Sequence, residues 1–403
     1  MSVLTRVVSD RSTILAEIAA EAAARELTGV DPHAQVRLLS ESGYTALTLD
    51  DASGPGAGAP ELFEFLIDLA RADPIVAHIL RAHFWFVEQI RRLPRGPVRD
   101  RWVAEIAAGK VFGNATSERT GNAGSLSFRT ELRAVDGGWV LTGAKFYSTG
   151  TAFSDYVSVT ATVRGGRFDG RVDGRVARIV LPVGRDGVTI VDDWDGIGQN
   201  RTGTGTTTLD SVRVTADDVL AFTDPASTAA VANDGPFLQL YLQALITGIL
   251  LSVGDDATAL LRSRTRTFDH APAESPRHDP VLLGTVGEID AAAHVARAAV
   301  LDAARTIEEA FAPARSGVIE TDLFVKASIA AARVKVHVDR VGLRAAADLF
   351  DVGGASSASR AKNLDRHLRN IRTVTLHNPT SYKAIALGDL LVNDTPLPAN
   401  GYF

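Results

Sequence analysis

Cysteine is absent from all 403 residues. Its absence excludes disulfides, thiolate metal sites and cysteine nucleophiles. A basic charge excess is lacking too. The 42 Lys and Arg face 48 Asp and Glu, so the formal charge is −6, which argues against a broad surface for nucleic-acid phosphates. The N-terminal stretch mixes in charge too early for a secretory signal, and no apolar run reaches the roughly 18 residues expected of a membrane span. No metal site, nucleic-acid partner or membrane partner is expected, and the simplest location is the cytoplasm. What is present is an ordinary globular composition, 45% hydrophobic, in a chain too long for one core of common size. Two or three packed units follow.

Three textures divide the chain at 1–110, 111–225 and 226–403. The first reads as helices. One amphipathic helix is expected from Asp10 or Ser12 as cap to Gly29 as stop. Another starts around Pro60, and a third, apolar on most faces, follows Pro74. A further helix ends at Gly109. The second stretch is rich in Thr, Val and Gly in short alternating runs. A hairpin is predicted to turn at Asp136, Gly137 and Gly138, and with no helix between the strands the sheet is predicted antiparallel. The third stretch carries three long helical patterns rich in small residues, which favours a close bundle. The predicted fold is α+β, mainly α: helical domain, β-domain, long-helix bundle.

Four segments could carry chemistry. FGNATSERTGNAGS (112–125) concentrates backbone amides and short polar side chains, among them Asn114, Thr116, Ser117 and Ser125. A redox ring that gathers negative charge on reduction wants such donors, but a polar connecting loop has the same composition. In GAKFYSTG (143–150), Tyr147, Ser148 and Thr149 end a strand, and the hydroxyls read as donors or as turn caps. DWDGIGQNRTGTG (193–205) suggests a close backbone approach or a plain turn, and holds no dinucleotide fingerprint. Beyond residue 351, Gly353, Gly354 and Ala355 offer flexible backbone donors. Arg366, Arg369 and Arg372 follow as a basic stripe. His377, before Asn378 and Pro379, reads as a helix-end residue, structural or functional.

Taken in order, these segments resemble the acyl-CoA dehydrogenase superfamily over nearly the whole chain. SERTGNAGS is similar to its flavin loop and GAKFYSTG to its next β-segment. KFYSTG, DWDGIGQ and RNIRTVTLHNP resemble, more narrowly, the dibenzothiophene monooxygenase branch. That resemblance implies reduced FMN, with FAD as the alternative, delivered by a separate flavin reductase. It implies a flavin C4a-hydroperoxide, formed with O2, that oxidises a small sulfur- or nitrogen-containing molecule, including aromatic ones. It implies flavin contacts from Asn114, Thr116, Ser117, Ser125, Tyr147, Ser148, Thr149, Gly353, Gly354, Ala355 and Arg369. Arg264 and Arg266 would reach the phosphate from a neighbouring subunit, in a homotetramer or at least a dimer; a cation there also simply suits a helix C-terminus.

The alternative within the superfamily is an acyl-CoA dehydrogenase, which needs a carboxylate to remove an α-proton. The resemblance puts Asn378 at one usual Glu position, and the first long C-terminal helix, the other usual place, has no Glu. Asp217, Asp218 and Asp234 remain as substitute bases. The catalytic set implied for a monooxygenase is His377, Ser148, Asn114, His78 and His83. Two branch residues are missing: Ala82 stands where the branch has Tyr, and Val374 where it has a second His. Phe84, Trp85, Phe86 and Tyr241 read either as lining for an aromatic substrate or as core.

Overall fold

A computed structural model describes residues 10–50, 53–119, 126–165, 172–226 and 233–403. Ser125 lies outside the described residues.

The N-terminal stretch forms two helices where one was predicted: α1 (Arg11–Ala19) and α2 (Ala22–Thr28). Asp10 caps the first by accepting from the Thr13 amide, and Gly29, with φ of 74°, ends the second. Next come α3 (His33–Glu41) and α4 (Ala59–Ala72). The apolar run after Pro74 is also split, at Leu80, into α5 (Pro74–Ile79) and α6 (Arg81–Arg91). The split turns His78 and Arg81 out of a helix interior and onto a helix junction. α7 (Pro97–Ala107) closes the group.

Eight strands follow: β1 (Phe112–Ala115), β2 (Glu131–Val135), β3 (Gly138–Lys145), β4 (Tyr156–Arg164), β5 (Val176–Pro182), β6 (Val188–Val191), β7 (Thr206–Val214) and β8 (Val219–Thr223). Their order is β6-β7-β3-β2-β4-β5-β8, with β1 also against β4. The β2–β3 hairpin turns where expected, with Val135 facing Gly138. The sheet is mixed, however, because β4 pairs in parallel with both β1 and β2. The chain reaches β4 through the segment around Ser148 rather than through a tight turn, so a parallel return needs no crossover helix.

The last stretch holds α8 (Gly235–Ser263), α9 (Pro280–Ala314), α10 (Thr321–Gly353), α11 (Asp365–Thr375) and α12 (Thr380–Asn393). By length and composition α8 could cross a membrane, contrary to the expectation that no segment could. In the fold, 78% of its apolar window is buried. The reason is packing: α8 runs through the centre of the bundle, against α4, α9 and α10. One apolar core joins Ile14, Phe63 and Ile75 of the first helices to Leu240, Ala303 and Val338 of the last, so both helical groups share it. The sheet has its own core around Leu132, Val159 and Leu181.

Candidate active site

Three loops and two helix ends meet where the β-unit touches the helices. Gly150 makes the junction. Its φ is 82°, and a Cβ there would lie 2.2 Å from the Ile79 carbonyl, so only glycine lets the loop seat against α5. Ser148 and Thr149 are thereby held beside the helix that carries His78. The Gly150 amide donates to the Thr202 carbonyl at 2.9 Å. The Thr149 and Thr202 hydroxyls both meet Thr204, at 2.8 and 2.7 Å. Thr202 also donates to the Gln199 carbonyl. The 143–150 and 193–205 segments are therefore one hydroxyl-bonded unit.

Gln199 passes this order on to His78: its Oε1 lies 2.8 Å from His78 Nδ1. The backbone at Gln199 has φ of 54°, and its amide donates to Asn370 Oδ1 at 2.6 Å. Asn370 in turn donates to Glu26. Burial, with Arg81 nearby, pushes His78 down to about 4, against the opposing pull of Gln199. His78 is thus neutral at ordinary pH.

His377 follows the end of α11 and is open to solvent on one side. The mass of surrounding protein, then Arg81, Lys335, His78 and Lys383, hold its imidazolium well below the usual range. Beside it, Asn378 is 8% exposed and donates to Gln239 Oε1 at 2.7 Å. Gln239 lies on the second turn of α8. Asn378, at one usual Glu position, is thus bonded to an amide of the long helix that carries no Glu. Asp217, Asp218 and Asp234 are elsewhere. Asp218 binds Arg185, Asp234 lies beside Arg92, and the Asp217 carbonyl accepts from Arg101.

Ser148 Oγ, Gln199 Nε2 and Asn378 Oδ1 are buried and have no hydrogen-bond partner among the described residues. An orphaned buried polar atom costs stability unless something binds it. Two of these groups can donate and one accepts, which suits the nitrogen- and oxygen-edged ring of a flavin. Asn114 is half-buried on β1, and its carbonyl accepts from the Thr151 hydroxyl, one residue beyond Gly150. Thr116 and Ser117 use carbonyls to hold Lys145 and the Phe146 amide, which leaves their hydroxyls available. Lys145, which the sequence reading missed, anchors this loop through Glu118 at 2.8 Å. Burial alone would raise the Glu118 carboxyl, but Lys145 and the Arg129 and Thr130 amides outweigh it and hold it at about 2. Tyr147 is 60% exposed and meets Trp194 edge-on at 6.1 Å.

Other expected site residues are placed elsewhere. His83 is fully buried. Its Nε2 lies 2.8 Å from the Thr45 carbonyl, and its Nδ1 accepts from the Phe112 amide at 3.3 Å, so backbone groups use both nitrogens. Phe84, Trp85, Phe86 and Tyr241 are core, and the Tyr241 hydroxyl is spent on the Ala77 carbonyl. Arg369 is consumed by Glu26, Asp365, Asn363 and the Ile197 carbonyl, because it braces the Gln199 loop from behind. Arg264 binds the Val352 carbonyl and lies close over Gly354, near Gly353 and Ala355. Arg266 is exposed. This second group sits at the far end of α8. Leu238 to Arg264 is 26 residues of helix rise, or about 39 Å, so within one chain the two groups do not form one site. A cleft of about 430 Å³ between α3 and the Thr151–Phe153 turn is lined by none of these orphaned atoms.

Known proteins sharpen this geometry. Residues 240–382 match the family Acyl-CoA dehydrogenase, C-terminal domain. The chain is 29% identical to the "Probable FMNH2-dependent monooxygenase SfnC" of Pseudomonas putida, covering 95% of this chain and 94% of that one. It is 28% identical to a dibenzothiophene monooxygenase of Rhodococcus erythropolis, over 94% and 91% of the two chains. The solved structure of methanesulfinate monooxygenase MsuC from Pseudomonas fluorescens superposes with a TM-score of 0.85 at 28% identity, covering 98% of each chain.

Proposed function

The chain belongs to the acyl-CoA dehydrogenase superfamily, in its dibenzothiophene monooxygenase-like branch, and from that premise we infer that it is a flavin-dependent monooxygenase using reduced FMN and O2. The observation that carries this reading is Asn378, a buried amide held by Gln239 at the position where the resemblance puts a dehydrogenase's carboxylate base, on a site whose long helix carries no Glu. Reduced FMN supplies the electrons with which one atom of dioxygen enters the substrate and the other leaves as water. Ser148, Gln199 and Asn378 fit its ring edge, with Asn114, Thr116, Ser117 and Thr149 around them. Neutral His78, held by Gln199, orients the reacting region. His377 offers a donor beside it. The surrounding apolar core keeps bulk water out.

We further propose that stretches 1–110, 111–225 and 226–403 act as domains, that a separate reductase provides FMNH2, and that the protein works in the cytoplasm. A second copy is part of this proposal. It would bring its Arg264 and Gly353–Gly354–Ala355 group to the flavin phosphate, which the 39 Å separation within one chain supports. The exposed Tyr382, Ile385, Leu391 and Val392 of α12 give an apolar face for such an assembly. The substrate is a small sulfur compound. Relatives of equal identity differ on its kind, since one is named for a neutral aromatic sulfide and the other for a sulfinate anion. The test mixes anaerobic FMNH2–protein with 18-oxygen gas and a panel of sulfur compounds. Label in the product is expected. Flavin bleaching by a saturated acyl-CoA, with no labelled product, would turn the reading to a dehydrogenase.

A further inference from the structure

Arg81 stands out among the basic groups at this site. It starts α6, one turn after His78. Its Nε and Nη2 atoms donate to a single carbonyl, that of Leu238, at 3.3 and 3.0 Å. Among the described residues it makes no ion pair. The other arginines of the helical junctions do: Arg25 binds Asp73, Arg92 faces Glu88, and Arg315 binds Glu88 and Glu308. Evidently the fold can neutralise a partly buried guanidinium, and here it does not.

The geometry ties Arg81 to the reacting region. Leu238 precedes Gln239, which binds Asn378, which follows His377. Arg81 is close enough to depress protonation of both His78 and His377. Burial lowers its own charge affinity to about 10, with Tyr241 and Tyr402 as the groups opposing. The remaining charges there are also mostly positive. Lys335 is matched by Asp339, whereas Lys383, among the described residues, meets the Tyr402 carbonyl and the Phe403 ring and no carboxylate. A desolvated cation without a counter-charge is costly, and an anionic ligand relieves that cost.

We propose that Arg81 is the substrate-charge selector of this site, and that the substrate is a small organic anion, its carboxylate, sulfinate or sulfonate group bound by the guanidinium N–H groups that Leu238 leaves free. The burial of Phe84, Trp85, Phe86 and Tyr241 in the core fits this, because it takes these four rings out of any lining for a large neutral ring. The inference rests on the monooxygenase reading for the site's purpose, but binding alone can test it.

The experiment is calorimetric titration of the oxidised FMN-loaded protein, with no reductant, using two probes of like shape: ethanesulfonate, and the neutral ethyl methyl sulfone. The sulfonate is expected to bind at least 10-fold tighter. Arg81→Gln should erase roughly 10- to 100-fold of that preference, as expected for a charge-assisted pair, and Arg81→Lys should restore part of it. FMN affinity should hold in each variant, and circular dichroism checks folding. Equal binding of the two probes by the unaltered protein overturns the proposal without needing any variant. So does a folded Arg81→Gln protein that keeps the preference, or one that loses FMN while its probe ratio is unchanged. Absence of oxygenated product from every compound tested would instead fail the monooxygenase reading and leave this binding result standing.

Discussion

Gln199 Oε1 lies 2.8 Å from His78 Nδ1, and this contact fixes which nitrogen of His78 carries its proton. With Nδ1–H donated to the amide oxygen, Nε2 is left as an acceptor. Gln199 is a positioning residue. Gln199→Leu should lower oxygenation about 10-fold, the worth of one good hydrogen bond. Gln199→Glu puts a negative charge beside the ring and raises His78 from about 4. The acid limb of the pH–rate profile should then move upward. A purely structural Gln199 would cost melting temperature and leave the profile in place.

Ser148 gives the cleanest test of the flavin cradle. It is 1% exposed, and its hydroxyl has no partner among the described residues. Ser148→Ala therefore removes no internal hydrogen bond, and its stability should stay within about 0.5 kcal/mol of the parent or rise. FMN affinity should fall about 5-fold, corresponding to about 1 kcal/mol. Fluorescence titration with FMN beside thermal melts reads both quantities. Equal FMN affinity in the variant would remove Ser148 from the cradle.

Acid sensitivity should come from histidines held neutral. His83 is depressed to about 4 by burial. Between pH 4 and its unperturbed value near 6.5, the unfolded chain binds a proton that the native state refuses. Stability therefore rises with pH across that window and is lost as pH falls through it, by up to about 1.4 kcal/mol per pH unit for one group. His78, His367 and His377 are depressed too and add in the same direction. Urea melts from pH 4 to 7 should show this slope, and His83→Gln should flatten it by about one proton. An unchanged slope would mean that His83 is protonated in the fold.

Much of the fold was legible in the chain, while the candidate site was reached through the resemblance, and what was missed has physical causes. The helix, β, helix order followed from periodicity, and Asp10 and Gly29 marked real helix ends. Ser148, Asn114, His78 and His377 were named through the family resemblance, since the residue pattern alone reads equally as turn caps, a polar loop and core histidines. Gln199 was missed since its role depends on a left-handed backbone and a contact 121 residues away. Arg81 was missed because what sets it apart is the lack of a counter-charge, which is a tertiary property. His83 was misplaced for the opposite reason. On the sequence it looks like His78, and only the Thr45 carbonyl and the Phe112 amide show that it is satisfied. Arg369 likewise reads as a free cation until Glu26, more than 340 residues earlier, folds onto it.

His377 decides between a donor to the reacting oxygen and a helix-end residue. It follows α11, faces open space, and makes a tilted ring contact with Tyr402 at 5.7 Å, with no side-chain hydrogen bond among those described. A residue so placed contributes little to folding, so His377→Ala should keep its melting temperature and its FMN. If its imidazole donates to the oxygen being transferred, oxygenation should fall about 10²–10⁴-fold, the usual worth of one acid–base group. Electrons from reduced FMN would still reach O2, so hydrogen peroxide should replace product. Peroxide and product assays on the same sample measure this coupling. Asn378→Glu is the paired control. It returns a carboxylate to the place where a dehydrogenase carries its base, but it breaks the contact to Gln239 and sets a charge among Arg81, His377 and Lys383. It should impair oxygenation without giving any acyl-CoA oxidation. A fully coupled, fully active His377→Ala protein would remove this residue from the reaction, and acyl-CoA oxidation by Asn378→Glu would show that the pocket still accepts a thioester.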